Sequence, residues 1–177
     1  MGDIPVKHLE NGGEVKKFHV ALFVDELEKK GYVQIQKSTD NTITMNAETL
    51  DRDFIVDESP TTILSKYKPS LSEPLTLVKG EADYDFFWKK FYGMATGSSA
   101  KGTLLIVFYN DETSDGKFKA WEGEVLFVLD NFNPTESVLT VNINMNGTVK
   151  KGLATITGGT VTFTEQASAG TGGNAGI

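Results

Sequence analysis

Alternating apolar and polar positions predict several strands of this chain. Residues 18–24 alternate with apolar side chains on both faces, which is typical of a central strand. Residues 32–36 and 42–46 each have one apolar and one polar face, and we expect them to pair as a hairpin connected by residues 37–41. Residues 103–109 are almost entirely apolar, as in a strand buried on both faces.

The period of two continues toward the C-terminus. Residues 118–129 and 137–145 alternate between apolar and polar side chains. The Asp-Gly pair at 115–116 and the Asn-Pro pair at 133–134 are typical turn sequences and separate these strands from their neighbours. A last short strand is predicted at residues 160–163.

Two segments do not follow the period of two. Between residues 46 and 74, acidic residues and prolines interrupt the alternation, so we expect a long inter-strand loop with one short strand candidate at 62–67. Residues 81–94 contain aromatic side chains at helical spacing and no proline, which predicts one helix that ends at a following glycine. The predicted fold class is therefore mainly β with one α-helix packed on a sandwich or barrel.

The composition fits one globular domain. Of 177 residues, 39% are hydrophobic, which is enough to fill a core at this length. Residues 15–166 are expected to form the β domain, with residues 1–14 as an N-terminal arm. Residues 167–177 consist almost wholly of Gly, Ala, Ser, Thr and Asn and are predicted to be a flexible tail. No signal peptide or membrane-spanning run is apparent, so we expect action in the cytoplasm, or in a particle assembled there, and no membrane partner.

Charge and cysteine content exclude several functions. The formal net charge of −7 argues against a protein that grips nucleic acid, because such binding depends on Lys and Arg at phosphates. The chain contains no cysteine, which excludes disulfides, thiolate zinc sites and a Cys nucleophile.

His8 and His19 have no ligand or Ser partner at a recognisable spacing and are expected to be structural.

Other candidate chemistry also has a simpler explanation. Asp83 and Asp85 fall in the first turn of the predicted helix, where carboxylates interact favourably with the helix dipole, so capping is favoured over glycosidase acids. The Glu122 and Glu124 pair is a similar candidate on a strand. Aromatic residues that could form a platform for a sugar or peptide are more often core residues; they are Phe87, Trp88, Tyr92 and Trp121. We therefore predict no enzyme, no catalytic or metal site and no cofactor.

The polar faces of the alternating strands share one property, which is the absence of Lys and Arg. Exposed sheets usually use Lys to block edge pairing, although Thr, Gln and Asn facing water would explain the rows of an isolated domain. A channel wall for a polyanion has a physical reason to lack ammonium groups, since each would bind a phosphate. The candidate lumen-facing residues are Gln34, Gln36, Thr42, Thr44, Asn46, Glu122, Glu124, Thr140, Asn142 and Asn144.

The order of elements resembles the major tail tube proteins of siphophages, the bacteriophages with long non-contractile tails. The resemblance rests on the sequence 43–50 continuing into the acidic segment 51–58, on the helix at 82–92 and on the polar strand and turn at 137–148. It covers roughly residues 15 to 160 as a pattern of elements rather than as a signature motif.

The resemblance implies a structural virion protein. Its subunits would form hexameric rings, whose sheets join into a continuous β-barrel, and the stacked rings would conduct double-stranded DNA without binding it tightly. It also implies a virion tail assembled in the host bacterial cytoplasm, tape-measure, initiator and terminator proteins as partners, and terminal arms that order on assembly. The loop 46–74 would contact a neighbouring subunit or ring through Leu50, Asp51, Arg52, Phe54, Ile55, Thr62, Ile63 and Tyr67.

Two alternatives stay open at the level of the sequence. The inner tube proteins of contractile injection systems share the implied architecture, and the presence of a sheath protein would distinguish them. A β-sandwich module that binds carbohydrate or peptide through Trp88 or Trp121 is the alternative from a different functional class.

Overall fold

The computed structural model describes residues 3–28, 31–53, 55 and 59–166. In this part of the chain it is mainly β with one α-helix, as predicted. Short 3-10 turns lie at Lys17–His19 and Gly97–Ala100. The strands are β1 Val20–Asp25, β2 Val33–Gln34, β3 Ile43–Thr44, β4 Ala47–Arg52, β5 Thr61–Tyr67, β6 Ser70–Thr76, β7 Lys101–Glu112, β8 Phe118–Asn133, β9 Val138–Met145, β10 Lys150–Thr157 and β11 Thr160–Glu165, and the helix α1 is Ala82–Tyr92.

The main sheet is antiparallel and divides at its longest strand. Its strand order is β2-β1-β7-β8-β9-β6-β3, while β10 pairs with β8 and β11 pairs with β10. The start of β8, residues 118–122, pairs with β10, whereas residues 125–133 pair with β9. The strand β8 therefore belongs to two curved parts of the sheet.

The larger part of the sheet curves until its two edges meet. Gln34 pairs with Phe23 of β1, and the chain that follows runs along β6. There the Lys37 carbonyl accepts the Thr76 N–H at 2.8 Å, and Thr39 N–H donates to the Pro74 carbonyl at 3.4 Å. The segment 33–39 thus bonds to both edges, so that this part of the molecule is barrel-like.

Two apolar cores lie on opposite faces of β1 and β7. Leu104 and Ile106 point into the first core, inside the barrel and beside α1, whereas Leu105 and Val107 point into the second. The strands β10 and β11 cover the second core. Burial of both faces confirms the predictions for these two strands, and the strands predicted at 118–129 and 137–145 are confirmed as β8 and β9.

The predicted helix is confirmed, and one of its acids has a structural function. Phe87 is fully buried and packs edge-to-face on Phe127, with ring centroids 5.6 Å apart. Asp83 is buried, and its Oδ2 accepts the backbone N–H groups of Gln36 and Lys37 at 3.0 and 3.2 Å. This carboxylate therefore fixes the segment that closes the barrel.

The predicted hairpin of residues 32–36 with 42–46 is wrong. The strand β2 pairs with β1, and β3 pairs with β6, through two residues each. Alternation specifies which side chains share a face but not which strand is the partner. The hydrogen bonds that Asp83 accepts from Gln36 and Lys37 hold the first segment beside α1, away from the second.

The predicted long loop is also wrong, because most of residues 46–74 form strands. The strands β4 and β5 form a separate two-stranded sheet, and β6 joins the main sheet. The short strand predicted at 62–67 is confirmed as β5. Pro74 lies within β6, where its carbonyl accepts the bond from Thr39.

The alternation of apolar and polar residues near the C-terminus did not predict one strand, β10. A Cβ at Gly152 would lie 2.2 Å from the Thr164 carbonyl oxygen of β11, so the close approach of the two strands requires glycine there. Such a residue weakens the apolar alternation. The strand predicted at 160–163 is confirmed as part of β11.

The predicted terminal arms have different outcomes. Ile4 and Val6 pack against the second core, and His8 Nδ1 lies 2.7 Å from Glu112 Oε2. These residues of the predicted N-terminal arm therefore pack on the subunit, and ordering of the arms on assembly stays a prediction. The tail predicted at 167–177 lies outside the described residues.

Candidate assembly surfaces

The outer face of β8, β9 and β6 gathers several of the candidate lumen-facing residues. Asn144 pairs with Ser70, which pairs with Thr44 of β3, so the three side chains form one row. Asn142 and Ser72 form the next row, and Thr140 pairs with Pro74. We call this surface the polar sheet face; its residues are Thr44, Ser70, Ser72, Pro74, Glu124, Leu126, Val128, Thr140, Asn142 and Asn144.

Glu124 stands at the margin of the polar sheet face and is neutralised there. Its Oε1 accepts a hydrogen bond from Lys101 Nζ at 3.0 Å and from Asn146 Nδ2 at 2.7 Å. These contacts, that of Lys101 first, lower the pKa of Glu124. The sequence did not predict Lys101 at this position, because Lys101 precedes the predicted strand 103–109. In the structure it is the first residue of β7.

Glu122 does not belong to the polar sheet face, contrary to the prediction. It has the same strand parity as Glu124, but it is buried and accepts a hydrogen bond from the Tyr32 hydroxyl at 2.6 Å. Burial, with Glu122 as the next cause, raises the pKa of Tyr32. The second core covers this end of β8, which alternation alone could not indicate.

The remaining polar candidates lie in three different places. Asn46 Nδ2 donates to Ser70 Oγ at 2.8 Å and so adjoins the polar sheet face. Thr42 donates to Asp40 Oδ1 at 2.7 Å in the preceding loop. Gln34 and Gln36 lie next to β1, at the segment that closes the barrel, and not beside Asn142.

The sheet of β4 and β5, called the β4–β5 hairpin below, is uncovered on both faces. Every residue of β5 is exposed, and only Glu48 of β4 is half-buried. Leu50 pairs with Ile63, and Thr49 pairs with Leu64 on the opposite face. Of the predicted contact residues, Leu50, Asp51, Arg52, Thr62, Ile63 and Tyr67 lie in this hairpin, Ile55 is fully exposed at its tip, and Phe54 lies outside the described residues.

Polar contacts give the β4–β5 hairpin its register. Glu48 forms ion pairs with Lys68 and, at 3.3 Å, with Lys66, and these contacts lower the pKa of Glu48. Thr62 donates to Asp51 Oδ1 at 2.7 Å. Exposed contacts of this kind specify pairing but contribute little stability.

Candidate catalytic groups are not brought together. Asp83 is buried on backbone amides, whereas Asp85 is exposed. Glu122 binds Tyr32 and Glu124 binds Lys101, so the two acids of each pair have different surroundings. His19 Nδ1 accepts the Lys16 N–H at 2.9 Å. Among the described residues there is no group of three His, Asp or Glu side chains that could hold a metal ion.

The candidate aromatic platform is dispersed as well. Trp88 packs between Phe91 and Phe132, with centroid distances of 5.3 and 5.8 Å. Trp121 packs on Phe108 at 5.0 Å, on a different element. In α1, Phe86, Phe87 and Phe91 therefore serve as core, whereas Tyr92 is exposed.

Glu73 is a buried acid inside the barrel that the sequence did not indicate. It is fully buried on β6, and neither carboxylate oxygen has a hydrogen-bond partner among the described residues. The nearby Ser38 hydroxyl donates to the Asp40 carbonyl oxygen instead. Burial raises the pKa of Glu73 to about 7, and the charge of Asp40 acts in the same direction.

Replacement of Glu73 by Gln is expected to remove a pH-dependent part of the stability. Because the folded-state pKa lies above the ordinary value of 4.5, the contribution is complete below pH 4.5 and is lost as the pH rises through about 7. Relative to the wild type, E73Q should gain about 3 kcal/mol in free energy of unfolding between pH 4.5 and 8. Urea denaturation across this range measures the difference, with the exposed Glu14→Gln as control. A constant difference between E73Q and wild type would contradict the assignment.

No described helix is both long enough and apolar enough to cross a membrane. This finding concerns helices alone.

Comparison with known proteins finds resemblance in structure but not in sequence. No protein-family model matches the chain, and no curated protein matches it. Thirteen chains of solved structures match. Three of them are a sheath/tube terminator of an extracellular contractile injection system in the extended state, the tube-terminating cap of the anti-feeding prophage, and the six-fold symmetrised baseplate of the anti-feeding prophage.

These three structural likenesses are distant. The terminator has 9% identity and a TM-score of 0.48 over 80% of this chain and 99% of its own. The cap has 9% identity and a TM-score of 0.48, and the match covers 92% of this chain and 99% of the cap chain. The baseplate chain has 10% identity and a TM-score of 0.42, and the match covers 85% of this chain and 97% of the baseplate chain. None of the three is a siphophage tail tube protein. At these TM-scores the likeness supports no conclusion about family or function, and the resemblance to tail tube proteins stays a prediction.

Proposed function

We propose that this chain is a structural subunit of a phage-like tail, which associates with copies of itself into rings that stack as a tube. The observation that supports this proposal most is the uncovered β4–β5 hairpin. Leu50, Ile63, Leu64 and Tyr67 are each at least 39% exposed there. A two-stranded hairpin with both faces in water is marginally stable, and clustered exposed apolar residues are typical of an interface.

The polar sheet face supports the further proposal of a channel wall. Its central rows combine Asn, Ser and Thr with the uncharged Pro74, Leu126 and Val128, and Lys101 at its margin is neutralised by Glu124. Hydroxyl and amide groups hydrate the wall without forming the charge-assisted contacts to phosphate that hold DNA. Double-stranded DNA would therefore pass such a wall without tight binding.

The finer features of the proposal follow from the resemblance to siphophage tail tube proteins. They are a hexameric ring, a location in the virion tail, and contacts with tape-measure, initiator and terminator proteins. A tube inside a contractile injection system would use the same two surfaces. Isolation of the native particle distinguishes the two arrangements, because only the contractile one contains a sheath protein around the tube.

Electron microscopy of the purified protein tests the proposal. We expect rings or tubes with a central channel, alone or after addition of tape-measure and initiator partners. A protein that stays monomeric in all these conditions, at concentrations up to the millimolar range expected for weak contacts, would overturn it.

A further inference from the structure

A second surface of the subunit is a groove at the base of the β4–β5 hairpin. It encloses about 420 Å³ between the hairpin and the first half of β8 with β10. Trp121 and Val149 are half-buried in its floor, and Met45 and Tyr67 remain 37% and 49% exposed. Lys66 and Lys151 stand beside these apolar side chains. We call this surface the basal groove.

The basal groove combines an apolar floor with a basic rim. Lys66 shares Glu48 with Lys68, so the three side chains together remain cationic. Lys151, on the opposite side, forms no ion pair within the described part of the chain. Such a groove fits an apolar side chain that is accompanied by carboxylates.

The other end of the β4–β5 hairpin has the complementary character. Ile55 is fully exposed at the tip, and Asp51 and Asp53 just before it are exposed as well. The sequence from 51 to 58 contains four carboxylates and one arginine. A fully exposed isoleucine that lies between acids in the sequence is suited to the basal groove.

The tip of one subunit cannot reach its own basal groove. Ala47 pairs with Tyr67 at the base, and Arg52 pairs with Thr61 near the tip. Six residues of extended strand separate the two ends by roughly 20 Å. The occupant must therefore belong to another molecule.

We propose that the basal groove receives the hairpin tip of a second copy of this chain, with Ile55 on the apolar floor and Asp51 and Asp53 near Lys66 and Lys151. This inference rests on the proposed self-assembly and specifies its contact. The contact is head-to-tail, because the surfaces that meet are different. Repetition of such a contact closes into a ring or continues as a helical filament, according to the rotation between neighbours.

Two charge-reversed variants of the full chain test this contact. The groove variant combines Lys66→Glu with Lys151→Glu, and the tip variant combines Asp51→Lys with Asp53→Lys. Each alone would bring like charges together, so we expect the concentration of half-association to rise by about tenfold or more. In a one-to-one mixture every tip–groove contact between different variants is again complementary, and association should recover to within about threefold of wild type.

Sedimentation velocity of the groove variant, the tip variant and their mixture measures how far each sample associates. Recovery in the mixture cannot come from misfolded subunits. A mixture that associates no better than its components, or variants that associate like wild type, would overturn the proposed contact. If wild type forms no rings or tubes, the proposed function fails, whereas the mixture still decides the contact by forming or not forming a heterodimer.

A third variant tests the apolar part of the contact. Ile55→Ser removes a side chain that is fully exposed in the subunit, so its folding should be unchanged. We expect weaker association, by about tenfold, because the isoleucine no longer leaves water on binding. Unchanged association of I55S would show that Ile55 does not occupy the groove. Ser98→Ala, in the exposed turn after α1, is the control.

Discussion

Replacing Leu50 and Ile63 together by threonine is expected to raise the concentration of half-assembly on the order of 100-fold, without unfolding the subunit. The two residues are cross-strand partners and are 45% and 39% exposed. In the assembled state we expect their apolar surface to be buried against a neighbour, and its loss costs roughly 3 kcal/mol. Threonine retains a branched Cβ, so the pairing within the hairpin should persist.

The measurement is sedimentation velocity over a concentration series, together with electron microscopy. Val15→Thr combined with Val78→Thr is the matched control, since these valines are 58% and 40% exposed outside the hairpin. The control should assemble like wild type. Assembly of the Leu50 and Ile63 variant at wild-type concentration would show that this face of the hairpin remains in water.

Replacing Ser72 and Asn142 together by lysine should leave tubes intact yet reduce DNA delivery by about tenfold or more. The two residues are Cα partners at the centre of the polar sheet face. Every ring would then present a circle of ammonium groups to the passing phosphates, and the contacts would repeat along the tube. Glu124 is unsuitable for this test, because a lysine there would leave Lys101 without its carboxylate.

DNA delivery per assembled particle is the quantity to measure, at two salt concentrations. Retention by phosphate contacts should weaken at higher salt. The control carries glutamine at both positions, which adds length without charge. Equal delivery by the lysine and glutamine variants would exclude the polar sheet face as the channel wall.

Strands buried on both faces were predictable because packing specifies them at every residue. In β7 the side chains of residues 104–109 enter the two cores alternately, so this part of the strand is apolar throughout. The β4–β5 hairpin has the opposite property. Neither of its faces is covered by the rest of the subunit, so no period of apolar residues distinguishes it from a loop, and only β5 was predicted.

Partner choice could not be predicted from the sequence. The short strands β2 and β3 have the expected alternation, but Asp83 and the free edges of β1 and β6 decide where they pair. Such contacts join residues about 46 positions apart, as between Asp83 and Lys37. Local pattern contains no information about them.

Only part of the polar sheet face was predicted from the sequence. Strand parity correctly placed Glu124, Thr140, Asn142 and Asn144 on one side. Ser70 and Ser72 were missed because they lie in the segment expected to be a loop. Glu122 was misplaced because burial by the second core changes along β8 while parity does not.

The central claim is that copies of this chain form a tube with the polar sheet face toward the channel. The native chain contains no cysteine, so Asn142→Cys provides a single labelling site. We predict that a small maleimide labels this site in both subunits and tubes, whereas a maleimide on a bulky polymer labels subunits but not intact tubes. Equal labelling of tubes and subunits by the bulky reagent would contradict the account.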